Sequence, residues 1–540
     1  MTAEGPHHAF WADDIADEIE AREPTDPIVV KGAVSPSGIP HIGHLNEILR
    51  GYYVAAVLRD RGHEVRQVFT TDDRDALRKL PRRLADADWN IVDLGAVDAA
   101  ALGENLGVPY SDIPDPFGDC HDSYGDHFTA LLAAAAARLD IPVEVVATTD
   151  LYESGAFDDV VHDILANADR AREILARHQD HVDDDYVPFM PNCGSCGRQL
   201  TTRVTGVDLD ADTVDYECVD VTVNDQSIPG CGHRGTAGFR EGKLPWRFEW
   251  PAGWQVLEVD HEPFGKDHAE GSWPSGVDIA EELLGIDPPV PLVYEWFTVD
   301  GEALSSSSGV VVTVPELLEL VDPAVLRYFF AKDPNKQRNL DLTHVDQLVD
   351  EFDRFERRYF GAADGTDQEM AFAERAYPFV VETVDPDRVR LPYRFAAVLG
   401  MVEDRDLQVR MAENEGHLPP DAAPAVVEAA LARVDRARRW ARREDNAYNY
   451  ELQATCPDVE LSDAEAAALE ELAAFVETTH DGDAIQARFY ELAEEYDLPV
   501  GDLFAAGYRL FFDDTEGPRL GEFLGELDQT FVVDRLRREA

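Results

Sequence analysis

At 540 residues the chain exceeds what one hydrophobic core supports, and roughly three or four domains are expected. A hydrophobic content of 44% excludes a disordered chain. The start MTAEGPHHAFWADD lacks the apolar run of a signal peptide and the stretch Ala130 to Ala137 is too short to span a bilayer, so a cytoplasmic protein with no membrane partner is expected. Aspartate and glutamate number 108 against 47 lysines and arginines, a formal charge of -61, and lysine occurs only at positions 31, 79, 243, 266, 332 and 336. Such a surface suits near-molar salt, where the screening length shrinks to about 3 Å. The acidity therefore reads as a solvent adaptation, and a DNA partner is not expected; an acidic protein that binds cationic partners is the alternative.

Residues 8 to 22 carry the spacing of an amphipathic helix, followed by Pro24 and Pro27. The β-branched run Ile28, Val29, Val30 predicts a strand, Ser35-Pro36-Ser37-Gly38 a turn, and Ile42, Leu45, Ile48 and Leu49 one face of a helix. Strand, tight turn and helix together direct free N–H groups and the positive end of a helix dipole above a sheet edge, an arrangement that favours bound phosphate. His41 and His44 are expected in the first helical turn, both able to donate to one anion, while Gly43 leaves room for a nucleotide. For an isolated HxxH, two merely solvated histidines would be an equal reading.

The full string PSGIPHIGH resembles the HIGH signature of class I aminoacyl-tRNA synthetases and related nucleotidyltransferases. The resemblance implies ATP bound on a Rossmann-like sheet, with Pro36, Gly38, His41, Gly43 and His44 around it and the two histidines holding its phosphates. A second strand is expected at Val65 to Thr70, and its end carries TTDDRDALRKLP, which places Asp72, Asp73, Asp75, Arg78 and Lys79 to meet a substrate unless they form a solvated loop. This segment, with IPDPFG at 113–118 and SYGDHF at 123–128, is similar to the class I lysyl-tRNA synthetases.

Cys193 and Cys196 form a CxxC knuckle, and Cys218 and Cys231 follow, a set that predicts structural Zn²⁺; His233 competes with Cys231 for the fourth place. The resemblance implies a zinc-binding insertion at this point. In KLPWRFEWPAGWQVLEVDHEPFGKDH, Trp246, Trp250 and Trp254 recur every fourth residue, but Pro245 and Pro251 argue for a loop whose aromatics wall a pocket, with core packing as the alternative. Lys266 is a candidate phosphate contact. On the resemblance, Gly265, Asp267 and His268 match ATP contacts, and Ser35, Trp246, His268 and Tyr294 match positions that contact lysine. Glu249 and Asp260 are candidates for the carboxylate facing its ε-ammonium.

At the place of the family's KMSKS loop stand Ala303, Leu304, Ser305, Ser306, Ser307 and Ser308, with both usual lysines missing. Leu304 and the serines 305 to 307 are expected to take over its contacts, and the developing charge must be met by Mg²⁺, Lys266, Lys336, Arg338 or another cation. From Leu317 onward the pattern is helical, and Arg433, Arg436, Arg438, Arg439, Arg442 and Arg443 could contact RNA or pair with carboxylates.

The expected architecture is α/β: a Rossmann-like parallel-sheet catalytic domain (1–185 and 241–340) split by a zinc-binding insertion (186–240), then an all-α domain (341–540) that on the resemblance binds the tRNA anticodon. The resemblance implies activation of L-lysine with ATP and Mg²⁺ and its transfer to tRNA(Lys). A synthetase for another amino acid, a nucleotidyltransferase without tRNA, and a non-catalytic RNA-binding protein are the rival readings.

Overall fold

A computed structural model describes residues 8–118, 120–223, 226–303, 311–453 and 455–539. They form two compact units: residues 1–316, 326–341 and 365–382 make the first, and 317–325, 342–364 and 383–540 the second. The units interleave along the chain, so the division differs from a single boundary at residue 340.

The first unit is built on α1 (Trp11–Glu20), β1 (Ile28–Val34), α2 (Ile42–Asp60), β2 (Val65–Thr71), α3 (Tyr124–Ala137) and β3 (Glu144–Ala147). After the insertion it continues with α4 (Trp246–Leu257), β4 (His261–Gly265), β5 (Val290–Tyr294), β6 (Phe297–Val299) and β7 (Arg338–Leu340). Five parallel strands pair in the order β5-β4-β1-β2-β3. The chain steps outward from β1 to β2 and β3, then returns on the other flank of β1 with β4. The crevice beyond the carboxyl ends of β1 and β4 is therefore the switch point where such sheets bind ligands.

Helix α2 lies close on this sheet. A Cβ on Gly51 would stand 3.2 Å from a methyl group of Val30, and the Gln67 side-chain amide donates to the Ile48 carbonyl at 2.9 Å. Lys31, although in a strand, is buried and pairs with Glu262 at 2.7 Å; Glu262 also accepts from the indole of Trp254. These contacts tie β1, β4 and α4 together.

The tryptophan segment is a helix, not the loop its prolines suggested. Pro245 is its N-cap and Pro251 lies within it. An internal proline costs roughly 3 kcal/mol, while burying the indoles of Trp250 and Trp254 returns together about 6 kcal/mol or more. Tertiary packing therefore outweighs the local preference. Trp246 stacks on Trp250 with centroids 5.1 Å apart, and Trp254 meets Trp250 at a tilt of 58° with centroids 5.3 Å apart.

The charged run after β2 is not a solvated loop at its start, because Asp72, Asp73 and Arg74 are buried. Asp73 accepts from the Thr149 N–H at 2.9 Å, and Arg74 donates to the carbonyls of Arg240 and Gly242, both at 2.8 Å. Asp75 accepts from the buried ammonium of Lys243 at 2.7 Å. The run thus clamps the base of the insertion onto the sheet, and only Arg78 and Lys79 are exposed. The insertion itself is a three-stranded antiparallel sheet of Thr202–Asp208, Thr213–Cys218 and Arg234–Gly238, on a stem where Met190–Pro191 pairs with Gly242–Lys243.

The second unit is helical. Its α5 (Val345–Tyr359) and α6 (Pro424–Glu444) are held by Arg433, whose guanidinium grips Asp353 at 2.7 and 2.9 Å and reaches Asp322 at 3.3 Å. Arg436 pairs with Asp322 at 2.9 Å and Arg438 donates to the carbonyls of Tyr448 and Tyr450. Half of the six arginines considered for RNA are spent inside the unit; Arg439, Arg442 and Arg443 are exposed.

Candidate active site

The turn after β1 delivers the chain to the switch point, and His41 is the N-cap of α2 rather than a residue of its first turn. Its extended backbone (φ -120°, ψ 169°) lets its own Nδ1 accept from the Gly43 N–H at 3.0 Å, while the Nδ1 of His44 reaches back to accept from the His41 N–H at 3.3 Å. This is a capping box made of two imidazoles in place of the usual serine and glutamate. The rings stack with centroids 3.9 Å apart. The remaining N–H groups of the helix start are also engaged, Ile42 with the Val312 carbonyl and His44 with the His41 carbonyl, both at 3.0 Å.

The anion-binding capacity of this helix start therefore passes from its backbone to its histidines. Because both Nδ1 atoms accept, each neutral ring carries its proton on Nε2, and both Nε2–H groups are left as donors. Burial holds both imidazoles neutral: it pulls His41 down to about 4 and His44 well below the ordinary histidine value, the latter helped by the neighbouring ring.

Both rings line a cavity of about 520 Å³ together with Gly43, Glu47, Gly265, Asp267, His268, Tyr294, Trp296 and Gln337. Seven residues expected around a nucleotide or amino acid thus meet in one place: His41, Gly43, His44, Gly265, Asp267, His268 and Tyr294. Glu47 is an addition the sequence reading missed. One turn beyond His44 on the same helix face, it accepts from the Ala33 N–H at 2.8 Å and from the Tyr294 hydroxyl at 3.2 Å, and burial pushes its carboxyl up to about 8. The i, i+3 spacing from His44 was the available signal.

Lys266 stands beside this cavity, its ammonium 2.5 Å from Glu295 and 5.1 Å from the centre of the Trp296 ring. Trp246 tilts towards His268, with ring centres 6.0 Å apart. With Glu249, it also lines a second cavity of about 20 Å³, the size of one water, beside Lys31, Asp72 and Thr148. Glu249 is already taken, paired with Lys243 and accepting from the Tyr152 hydroxyl at 2.9 Å. Asp260 requires a correction: it precedes β4 at the amino-terminal edge of the sheet, opposite the cavity, and caps the Val29 N–H at 2.8 Å. Ser35, Pro36 and Gly38 form the turn above β1 without lining the larger cavity.

Lys336 and Arg338 also stand elsewhere. Gln337, just before β7, lines the cavity, whereas its two neighbours line a separate cleft. The described lining of the larger cavity holds carboxylates and no lysine or arginine. Leu304, Ser305, Ser306 and Ser307 lie outside the described residues, as does Ser308. Their downstream flank is described, since Val312 is the carbonyl that takes the first N–H of α2.

The four insertion cysteines converge with Sγ separations of 3.6 Å for Cys193 and Cys231 and 3.8 Å for Cys196 and Cys218. A tetrahedral ion with metal–sulfur bonds of about 2.3 Å has edges of about 3.8 Å, so the residues present fit zinc. Cys231 completes this set and His233 stands outside it. A second cluster, unforeseen from the sequence, gathers Asp115, Cys120, His121 and His127. His127 Nε2 donates to the Ala85 carbonyl at 2.8 Å, and its Nδ1 lies 3.3 Å from Asp115. An imidazole oriented by a carbonyl behind it is typical of a metal ligand.

Paired Nε2–H donors at the start of a helix, placed at the switch point of a parallel sheet, match the nucleotide site implied for class I tRNA synthetases. The family described as tRNA synthetases class I (K) matches residues 9–381, and the chain belongs to it. A lysine–tRNA ligase of Haloarcula marismortui is 61% identical over 535 residues, covering 99% of this chain and 98% of that one. Its counterpart in Natronomonas pharaonis is 60% identical over 538 residues, with 99% and 98% covered. The lysine–tRNA ligase of Pyrococcus horikoshii is 32% identical over 556 residues, with 98% and 99% covered. No described helix is long and apolar enough to cross a membrane.

The histidine geometry makes a spectroscopic prediction. Nitrogen-15 shifts of His41 and His44 should report the Nε2–H tautomer at pH 6 to 8, with no titration of His41 until the pH approaches about 4. Because the folded values lie below the unfolded value of about 6.5, the stability these rings contribute is complete above that pH and declines as the pH falls towards about 4. Observation of Nδ1–H rings, or of a midpoint near 6.5, would contradict the double cap.

Proposed function

We propose that the chain is a lysine–tRNA ligase that converts L-lysine and ATP to lysyl-adenylate and pyrophosphate, then passes the lysyl group to tRNA(Lys) with release of AMP. The observation that carries this reading is the imidazole capping box, which fixes two neutral donors where a triphosphate would lie across the start of α2. Lysine-tRNA ligase relatives covering nearly the full chain supply the substrate identity. During attack of the lysine carboxylate on the α-phosphorus, His41 and His44 donate Nε2–H to phosphate oxygens, so that catalysis rests on position and charge stabilisation. Mg²⁺ supplies the positive charge that the described cavity lining lacks, with Lys266 at its border and Asp267 as the exposed carboxylate in reach. The serine segment at 304–308 contributes hydroxyls rather than charge.

Lysine itself is placed against Trp246, His268 and Tyr294. With Glu249 committed to Lys243 and Asp260 at the far edge, Glu47 is the buried carboxylate of the larger cavity that meets an ammonium group of the substrate.

Lysine-dependent exchange of pyrophosphate into ATP tests the reading. Lysine alone among the amino acids should support exchange, and His44→Ala should lower its rate by about 10²- to 10³-fold, the cost of one preorganised donor. Since a cation binds the ionised form of Glu47, the KM for lysine should fall as pH rises from 6 and level off above about 8. Glu47→Gln should raise that KM and flatten its pH dependence. Exchange driven equally by other amino acids would refute the assignment.

The two donor clusters are read as structural zinc sites, one of four thiolates in the insertion and one of Asp115, Cys120, His121 and His127 against α3. Metal analysis of the purified protein should find about two zinc ions per chain, from two four-ligand sets. Cys193→Ser and His127→Ala should each remove one, and a wild-type content near zero would exclude both.

A further inference from the structure

Where the chain enters β7, a second cleft of about 690 Å³ is lined by His8, Trp11, Lys332, Lys336, Arg338 and Phe372, among others. Two of the chain's six lysines meet an arginine here, in a protein with 108 carboxylates. The acids at the cleft are engaged with their surroundings. Asp14 accepts from the His8 N–H at 2.9 Å, Glu369 closes a capping box with Thr366, and Asp333 accepts from the Asn335 N–H at 3.0 Å. The Arg338 Nε is buried with no hydrogen-bond partner among the described residues. Lys336 stands 71% exposed, 3.4 Å from Asp333.

The aromatic members complete a recognisable chemistry. Trp11 is anchored by its indole N–H to the Ala331 carbonyl at 2.8 Å, and Phe372 packs edge-on against Phe10, with ring centres 6.1 Å apart. Both rings are half-buried and line the cleft, and the Arg50 guanidinium lies 5.3 Å from the centre of the Trp11 ring. Cations that track a backbone, next to aromatic faces that accept bases of any sequence, are what a single nucleic-acid strand requires. The cleft and the catalytic cavity adjoin at residues 336–338, since Gln337 lines one and its two neighbours line the other.

We propose that this cleft holds the single-stranded 3′ segment of the tRNA as it approaches the catalytic cavity, with phosphates on Lys336 and Arg338 and a base against Phe372 or Trp11. This rests on the reading that the chain charges a tRNA. Where salt is high and long-range attraction is screened within about 3 Å, only such direct contacts remain to bind RNA to so acidic a protein.

The test compares the full-length wild type with Lys336→Ala and Arg338→Gln in three measurements: lysine-dependent pyrophosphate exchange, the KM for tRNA in aminoacylation, and the Kd for intact tRNA and for tRNA trimmed of its unpaired 3′ nucleotides. Each variant should raise the KM and the Kd for intact tRNA about tenfold, the loss of one charge-assisted contact. Lys336→Ala should lower the salt dependence of binding by about one counterion, and exchange and affinity for trimmed tRNA should stay within about twofold of wild type. Should the partly buried Arg338→Gln fail to fold, Lys336→Ala, altered at an exposed position, decides alone. Unchanged KM and Kd for intact tRNA, or equal weakening of intact and trimmed tRNA, overturns the proposal, as does a cleft that serves a protein partner and leaves tRNA binding untouched. Absence of exchange in the wild type would instead overturn the ligase reading itself.

Discussion

Everything at the catalytic end of the first unit depends on how one helix begins. A helix start must satisfy several N–H groups, and here two histidines do so with their Nδ1 atoms. Burial keeps both rings neutral, and the cap stacks them and leaves each with one Nε2–H donor. The usual picture of a phosphate resting on bare backbone N–H groups is replaced by one in which the side chains that cap the helix also present the donors. The Val312 carbonyl on Ile42 adds a consequence, because the same helix start anchors the chain just after the serine segment.

Charge inside this protein is arranged differently from charge on its surface. Lys31 with Glu262, and Lys243 with Asp75 and Glu249, are buried ammonium–carboxylate pairs, each costly to desolvate and tolerable only because its hydrogen bonds are made. Both join elements distant in sequence: one locks α4 and β4 to β1, the other locks the insertion stem to the loop after β2. With lysine nearly absent from the surface, those that remain, the exposed Lys79 apart, mark interior struts or the borders of clefts. Arginine does the corresponding work in the second unit, where Arg433 draws Asp322 and Asp353 together.

The two metal-type clusters share a structural logic. One closes the small antiparallel insertion; the other pins the segment before α3 to the short strand Arg83–Ala85. In both, the ligands are oriented from behind, by the Cys231 N–H on Cys218 Sγ at 3.2 Å and by the Ala85 carbonyl on His127.

Much of this was legible in the chain. Strand, turn and helix around the PSGIPHIGH string, the cysteine knuckle and the helical second half follow from local periodicity, turn chemistry and ligand spacing, which are properties of neighbouring residues. The sequence alone determined that a nucleotide-binding βα unit lies near the start of the chain, and which histidines belong to it. Tertiary structure decided the rest. Whether Trp246 to Trp254 would be helix or loop turned on indole burial against β4. Whether Asp72 to Asp75 would meet solvent or an insertion turned on partners some 170 residues away, such as Lys243. Which of Glu47, Glu249 and Asp260 faces the cavity depended on which end of a parallel strand each occupies and which cation reached it first. Such outcomes are set by contacts between distant segments, and no local pattern encodes them.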